Sequence, residues 1–155
     1  MSASGFIDRE TPATLARERA VADDIERRMG CFLVKLPRMY GFDFIAMRDD
    51  RPVAWVELKT RTCASDAFET IMIAARKVIR AREYERSLGL PVWFIVKWTD
   101  RMGAVRLDNC TIELGYGGMV GRGDPSDQEP LAFISTADFR WLTEPCATES
   151  RVQTV

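Results

Sequence analysis

Apolar positions early in the chain recur at helical spacing and then switch to alternation. Leu15, Val21, Ala22, Ile25 and Met29 fall on one stripe of a helix. Thr11-Pro12 supplies a hydroxyl N-cap and a proline at the first helical position, and Gly30 supplies a left-handed stop. The pattern predicts a helix ending at Met29, a short strand over 31–36, and two longer strands over 41–47 and 53–60. The turn-rich run Arg48-Asp49-Asp50-Arg51-Pro52 joins the latter pair. A second helix, capped by Ser65 or Asp66 and reaching Leu88 before Gly89, is predicted from the stripe Phe68, Ile71, Met72, Ala75 and Ile79, which Arg82 and Arg86 continue. An apolar strand follows over 92–98. Then come a hairpin of 105–107 with 111–114, a glycine-rich loop over 115–130, a strand over 131–134 and a short helix over 137–142 capped by Thr136. This order predicts an α/β (α+β) layer domain with a mixed central sheet flanked by helices. It is expected to form one unit over 1–155, with a core at about 11–98 and a C-terminal β extension at about 104–145.

The segment from Gly41 to Arg61 changes the picture. With the turn centred on Asp50, residues whose numbers sum to 100 lie opposite one another. Asp43 then faces Glu57, Ile45 faces Trp55 and Met47 faces Val53. The other face carries Phe42, Phe44 and Ala46 against Leu58, Val56 and Ala54, so both faces are apolar, as in a sheet covered on both sides. Against that background Asp43, Glu57 and Lys59 are three ionisable groups on one face at one end of the hairpin. Paired carboxylates repel and are costly to bury, and a divalent cation with oxygen ligands removes the repulsion. Glu18 lies near the middle of the apolar stripe of the first helix, with Glu26 nearer its border. A helix turned by one residue's worth of phase would favour Glu26 instead.

Composition narrows the chemistry. The 155 residues are 46% hydrophobic and 29% charged, which fits a globular domain. No apolar run is long enough to span a membrane and the N-terminus lacks the order of a secretory signal, so a cytoplasmic protein is expected. Lys+Arg 22 against Asp+Glu 23 gives a net charge of -1, without the basic excess of a passive nucleic-acid coat. Four scattered cysteines form no CxxC and read as small hydrophobes. There is no histidine, which excludes histidine-based triads, general bases and metal ligands.

Asp43, followed fourteen residues later by Glu57-Leu58-Lys59, together with the helix, three strands, helix, strand order, resembles the PD-(D/E)xK nuclease superfamily. The resemblance covers about 11–98. It implies a restriction-endonuclease-like or Holliday-junction-resolvase-like αβββαβ core, in a bacterial or phage setting. It implies that Asp43 and Glu57 bind Mg2+ with the Leu58 carbonyl, Mn2+ substituting. Lys59 would position or activate the attacking water, and Glu18 would be the first-helix acid that completes or tunes the metal site. The metal would polarise water and offset charge on a phosphodiester, DNA before RNA. The second helix lacks the glutamine found in some branches, and Tyr40-Gly41-Phe42 stands where a proline often precedes the aspartate. Arg61, Arg76 and Arg82 are the expected nucleic-acid contacts. No membrane partner is expected, and a homodimer is compatible with the sequence. The competing reading is a non-catalytic nuclease-fold module that binds DNA or a protein.

Overall fold

The computed structural model describes residues 11–117 and 129–144. Helix α1 (Pro12–Met29) starts in a capping box. The Thr11 hydroxyl accepts the Thr14 N–H at 3.2 Å, and Thr14 Oγ1 accepts the Thr11 N–H at 2.8 Å. It ends at Gly30, whose φ of 61° lets its N–H reach the Glu26 carbonyl at 2.9 Å. Strand β1 (Phe32–Lys35), a 3-10 turn at Arg38–Tyr40, and strands β2 (Phe44–Arg48) and β3 (Arg51–Thr60) follow.

Asp49 and Asp50, with φ of 51° and 58°, make a two-residue turn between β2 and β3. That tight turn opposes Met47 to Pro52, where the centred turn had opposed it to Val53. A bulge between Ala46 and Met47 then restores the expected register, so Ala46 faces Ala54, Ile45 faces Trp55 and Phe44 faces Val56.

The second helix, α2, runs Ala75–Leu88, and the segment before it is strand β4 (Thr70–Ala74). Ile71 and Ile73 are buried while Thr70 and Met72 are exposed, the two-residue period of a strand. Ser65 caps no helix: its N–H and hydroxyl both bond Asp100, at 2.8 and 2.7 Å.

Strand β5 (Val92–Lys97) pairs parallel to β3. Strand β6 (Met102–Arg106) pairs antiparallel to β5. The hairpin expected of 105–107 with 111–114 does not form. Asp108 accepts the Val92 N–H at 2.9 Å and Leu107 N–H reaches the Val92 carbonyl at 2.8 Å, holding this stretch against β5. Strand β7 (Glu113–Gly117) instead pairs with β8 (Glu129–Ser135), so the expected loop is flanked by strand at both ends; residues 118–128 of it lie outside the described residues. In place of the helix expected over 137–142 stand a 3-10 turn, Thr136–Asp138, capped by Ser135, and strand β9 (Arg140–Trp141). Phe139 and Trp141 there meet Trp98 edge-on at 5.2 and 5.5 Å. Gly103 leaves room for the Trp141 ring, since a Cβ would come within 2.9 Å of it.

One sheet runs β1-β2-β3-β5-β6-β9 and a second runs β4-β8-β7. Ala22 and Ile25 of α1 bury one face of the large sheet with Leu33, Phe44, Ala54, Val56 and Ile95. Ala75, Val78 and Ala81 of α2, with Ile71, Ile73, Ala132 and Ile134 of the small sheet, bury the other on Trp55, Phe94 and Val96. Phe42, expected beside Phe44, packs on the α2 face against Tyr84 at 5.4 Å, because the 3-10 turn and Gly41 interrupt strand alternation before β2 begins. At the outer edge of β1, Glu26 Oε1 accepts the Leu33 N–H at 2.7 Å and Arg19 donates to the Leu33 carbonyl at 3.0 Å. Cys110 is buried, Cys31 and Cys63 are half-buried free thiols, and Cys146 lies outside the described residues. Among the described residues no helix is long and apolar enough to cross a membrane.

Candidate active site

Asp43 stands immediately before β2, where the hairpin ladder stops. Its N–H bonds the Val56 carbonyl at 3.1 Å and its Oδ2 accepts the Leu58 N–H at 2.9 Å. In a strand the N–H and C=O of one residue leave on the same edge, so the Leu58 carbonyl also faces the gap beyond the start of β2. Glu57 and Lys59 project from β3 on the α2 face, with Trp55. The Glu57 side chain is only 15% exposed. Burial and the neighbouring Asp43 push its carboxyl up to about 7, against the opposing charges of Lys77 and Lys59. The two acids of the sequence motif are thus brought together, close enough to feel each other's charge.

Lys59 Nζ donates to the Met72 carbonyl at 3.1 Å. Burial lowers its pKa and Arg61 adds to the effect, while Glu57 works against it. Arg61 follows the end of β3, its N–H on the Lys97 carbonyl at 2.8 Å.

Glu18 reaches the same corner from the α1 face. Lys35 Nζ lies 2.5 Å from Glu18 Oε1 and 3.8 Å from Asp43 Oδ1, above the Phe44 ring. Glu26 is committed elsewhere, bonded to Arg19 and the Leu33 N–H. The structure therefore places Glu18, not Glu26, next to Asp43, with a lysine between them.

A cleft of about 780 Å³ opens at this corner. Asp43 lines it, and so do the cations Lys35, Arg38, Arg76, Lys77 and Arg80. Arg76 lies in the cleft and pairs with Glu129 at 3.1 Å. Arg82 is not in the cleft; it points the other way, to the Cys110 carbonyl at 3.3 Å. Lys77 is the residue the sequence pattern misses: its Nζ lies 2.9 Å from Glu57 Oε2 and 2.6 Å from the Gly41 carbonyl. Gly41, at φ 78°, lets the Arg80 guanidinium lie directly against its α-carbon, where a Cβ would clash at 1.9 Å.

The donor atoms gathered at the corner are all oxygens: two carboxylates and one peptide carbonyl. That set suits a hard divalent cation. Among the described residues no group of three or more Asp, Glu or Cys side chains stands close enough to hold an ion by side chains alone.

Residues 8–142 match the profile of the phage putative PDDEXK endonuclease family. The chain belongs to this family. The endonuclease has no match among curated proteins. Among solved structures it is similar to Hjc, a Holliday junction resolvase of Archaeoglobus fulgidus, with TM-score 0.53 and 13% identity over 81% of this chain and 85% of that one. It is also similar to D212, a nuclease from a fusselovirus, with TM-score 0.45 and 14% identity over 84% and 83% of the two chains. The likeness to Hjc confirms the expected mixed-sheet nuclease fold.

Proposed function

We propose that this endonuclease hydrolyses phosphodiester bonds in DNA with a resident Mg2+, for which Mn2+ substitutes. The observation that carries the reading is the buried Glu57 carboxylate within reach of the charge of Asp43, which itself lines a cationic cleft; a cation relieves the repulsion between them. Asp43, Glu57 and the Leu58 carbonyl are the residues that would hold the ion, with Glu18 tuning it through Lys35. When bound, the ion would supply a polarised water and positive charge against the phosphate.

The chain's own residues do the rest. Lys59, depressed in pKa by burial, holds a positive charge beside the site where negative charge develops on the scissile phosphate. Arg38, Arg76 and Arg80 line the cleft and bind flanking phosphates, and Arg61 adds charge next to Lys59. DNA is put before RNA because the family is one of phage endonucleases and the structural neighbour Hjc is a Holliday junction resolvase. An acid pair with one member, Asp43, in a cleft lined with cations favours cleavage over a non-catalytic binding role.

The test is nicking of supercoiled plasmid with Mg2+, Mn2+ or EDTA, beside a branched DNA and an RNA of equal length. Cleavage of DNA that EDTA abolishes and Glu57→Gln loses is expected. DNA binding with no cleavage in either metal would overturn the enzymatic reading.

A further inference from the structure

The acid pair of the cleft is asymmetric. Asp43 lines the cleft, whereas Glu57 is not among its lining residues; Lys77 is, and its ammonium lies against the Glu57 carboxylate. Lys77 enters from α2, one helical face away from the buried positions Ala75, Val78 and Ala81. Its side chain is 19% exposed, its Nζ is also held by the Gly41 carbonyl at 2.6 Å, and it lies 5.7 Å from the centre of the Phe42 ring. Three independent contacts therefore seat one positive charge on the carboxylate that the proposed metal site requires.

We infer that Lys77 is a built-in counter-ion that competes with the divalent cation for Glu57 and is displaced into the cleft when the cation binds. The inference rests on the metal reading of Asp43 and Glu57 given above. Its physical basis is charge. Without an ion, removing Lys77 would leave Glu57 buried and unpaired, which is costly. With an ion bound between Asp43 and Glu57, an ammonium in hydrogen-bond contact with the same carboxylate would be repelled and would leave one carboxylate oxygen shared. The long lysine stem has an exit, because Lys77 already borders the open cleft together with Arg76 and Arg80. Displaced there, its charge faces the phosphate of the substrate. Occupancy of the metal site and presentation of Lys77 to the substrate are then two sides of one exchange. Lys77 acts through Glu57 and is a positioning residue in the resting protein.

The experiment compares full-length wild type with Lys77→Gln and Lys77→Arg, using Mn2+ alone as the probe. Isothermal titration gives the Kd, and melts are run in EDTA and in saturating Mn2+. Lys77→Gln is expected to bind Mn2+ about tenfold tighter, since it no longer has to break a charged hydrogen bond. It is also expected to melt below wild type in EDTA and to recover most of that deficit in Mn2+. Lys77→Arg keeps the charge and the wild-type Kd. If Lys77 is merely structural, Lys77→Gln melts lower by the same amount with and without Mn2+ and its Kd is unchanged or weaker; that result overturns the competition. Absence of Mn2+ binding by the wild type itself overturns the metal reading and this inference with it, whereas binding that ignores residue 77 overturns the inference alone.

Discussion

Asp43 and Leu58 are joined side chain to backbone, Oδ2 accepting the Leu58 N–H at 2.9 Å. This bond continues the β2–β3 ladder by one step with a carboxylate in place of a peptide. It turns the Asp43 side chain across the sheet toward the strand that carries Glu57.

Asparagine at position 43 keeps an oxygen to accept that N–H and removes only the charge. Asp43→Asn is expected to melt within about 2 °C of wild type in EDTA, the lost repulsion on Glu57 offsetting a weaker hydrogen bond. The melting shift produced by Mn2+ disappears and plasmid cleavage falls by about a hundredfold or more. Paired melts with and without Mn2+ check it; an undiminished shift would place the ion elsewhere.

Lys59→Met keeps the aliphatic stem and deletes the ammonium bonded to the Met72 carbonyl. Because that charge matters in the transition state more than in the ground state, kcat is expected to drop by about 10²–10³ with Kd for DNA within about twofold. Single-turnover cleavage and a binding assay in Ca2+ separate the two quantities.

Glu18→Gln removes the charge of a carboxylate paired with the Lys35 ammonium, which also lies 3.8 Å from Asp43 Oδ1. Metal affinity is therefore expected to weaken, and the Mg2+ concentration for half-maximal cleavage to rise by about tenfold. Adding Lys35→Met removes the competing charge and is expected to return the requirement toward wild type. A double-mutant cycle on the Mg2+ requirement reads the coupling; additive effects would show that Glu18 acts independently of Lys35.

Asp108 gives the pH dependence of the fold. Its side chain is 3% exposed; burial works to raise its pKa, but the hydrogen bonds of Arg106 and of the Val92 N–H outweigh burial and hold it below the usual carboxylate range. The folded pKa being the lower, this contribution is present in full above the unfolded value of about 3.9 and is lost as pH falls through the folded value. Asp108→Asn is expected to cost about 1–2 kcal/mol at pH 7, and the gap from wild type should close below about pH 4. Urea melts at pH 7 and pH 3 measure both.

Where local pattern and tertiary environment agree, the structure follows the sequence. The β2–β3 strands are apolar on both faces and pair as expected from Phe44 to Ala46, so their register and the approach of Asp43 to Glu57 are legible despite the misplaced turn. The stripe of α1 is right at its centre, Ala22 and Ile25, and Glu18 from the same stripe meets Lys35 of β1. The failures share one cause, a partner distant in sequence. Strand β4 takes its hydrogen bonds from β8, so Ile71 and Met72 read as part of a helix that begins only at Ala75. Their inclusion rotated the inferred buried face of α2 toward Ile79 and Arg82. Ile79 is 59% exposed, Arg82 turns to Cys110, and Lys77, outside the inferred stripe, is the residue on Glu57. Lys35 was legible in principle, being two residues after Leu33 on the same strand face, but only the ion pair with Glu18 gives it meaning.

The plugged peptide of Leu33 bears on how this molecule meets its neighbours. Exposed strand edges are templates for sheet growth, and Phe32, at 73% exposure, would make β1 an adhesive one. With its N–H already given to Glu26 and its carbonyl to Arg19, Leu33 offers an incoming strand no free backbone group. The opposite margin, β9, is two residues long. At Leu33 one border of the large sheet is thus capped by side chains of its own first helix, and the other border is only two residues long.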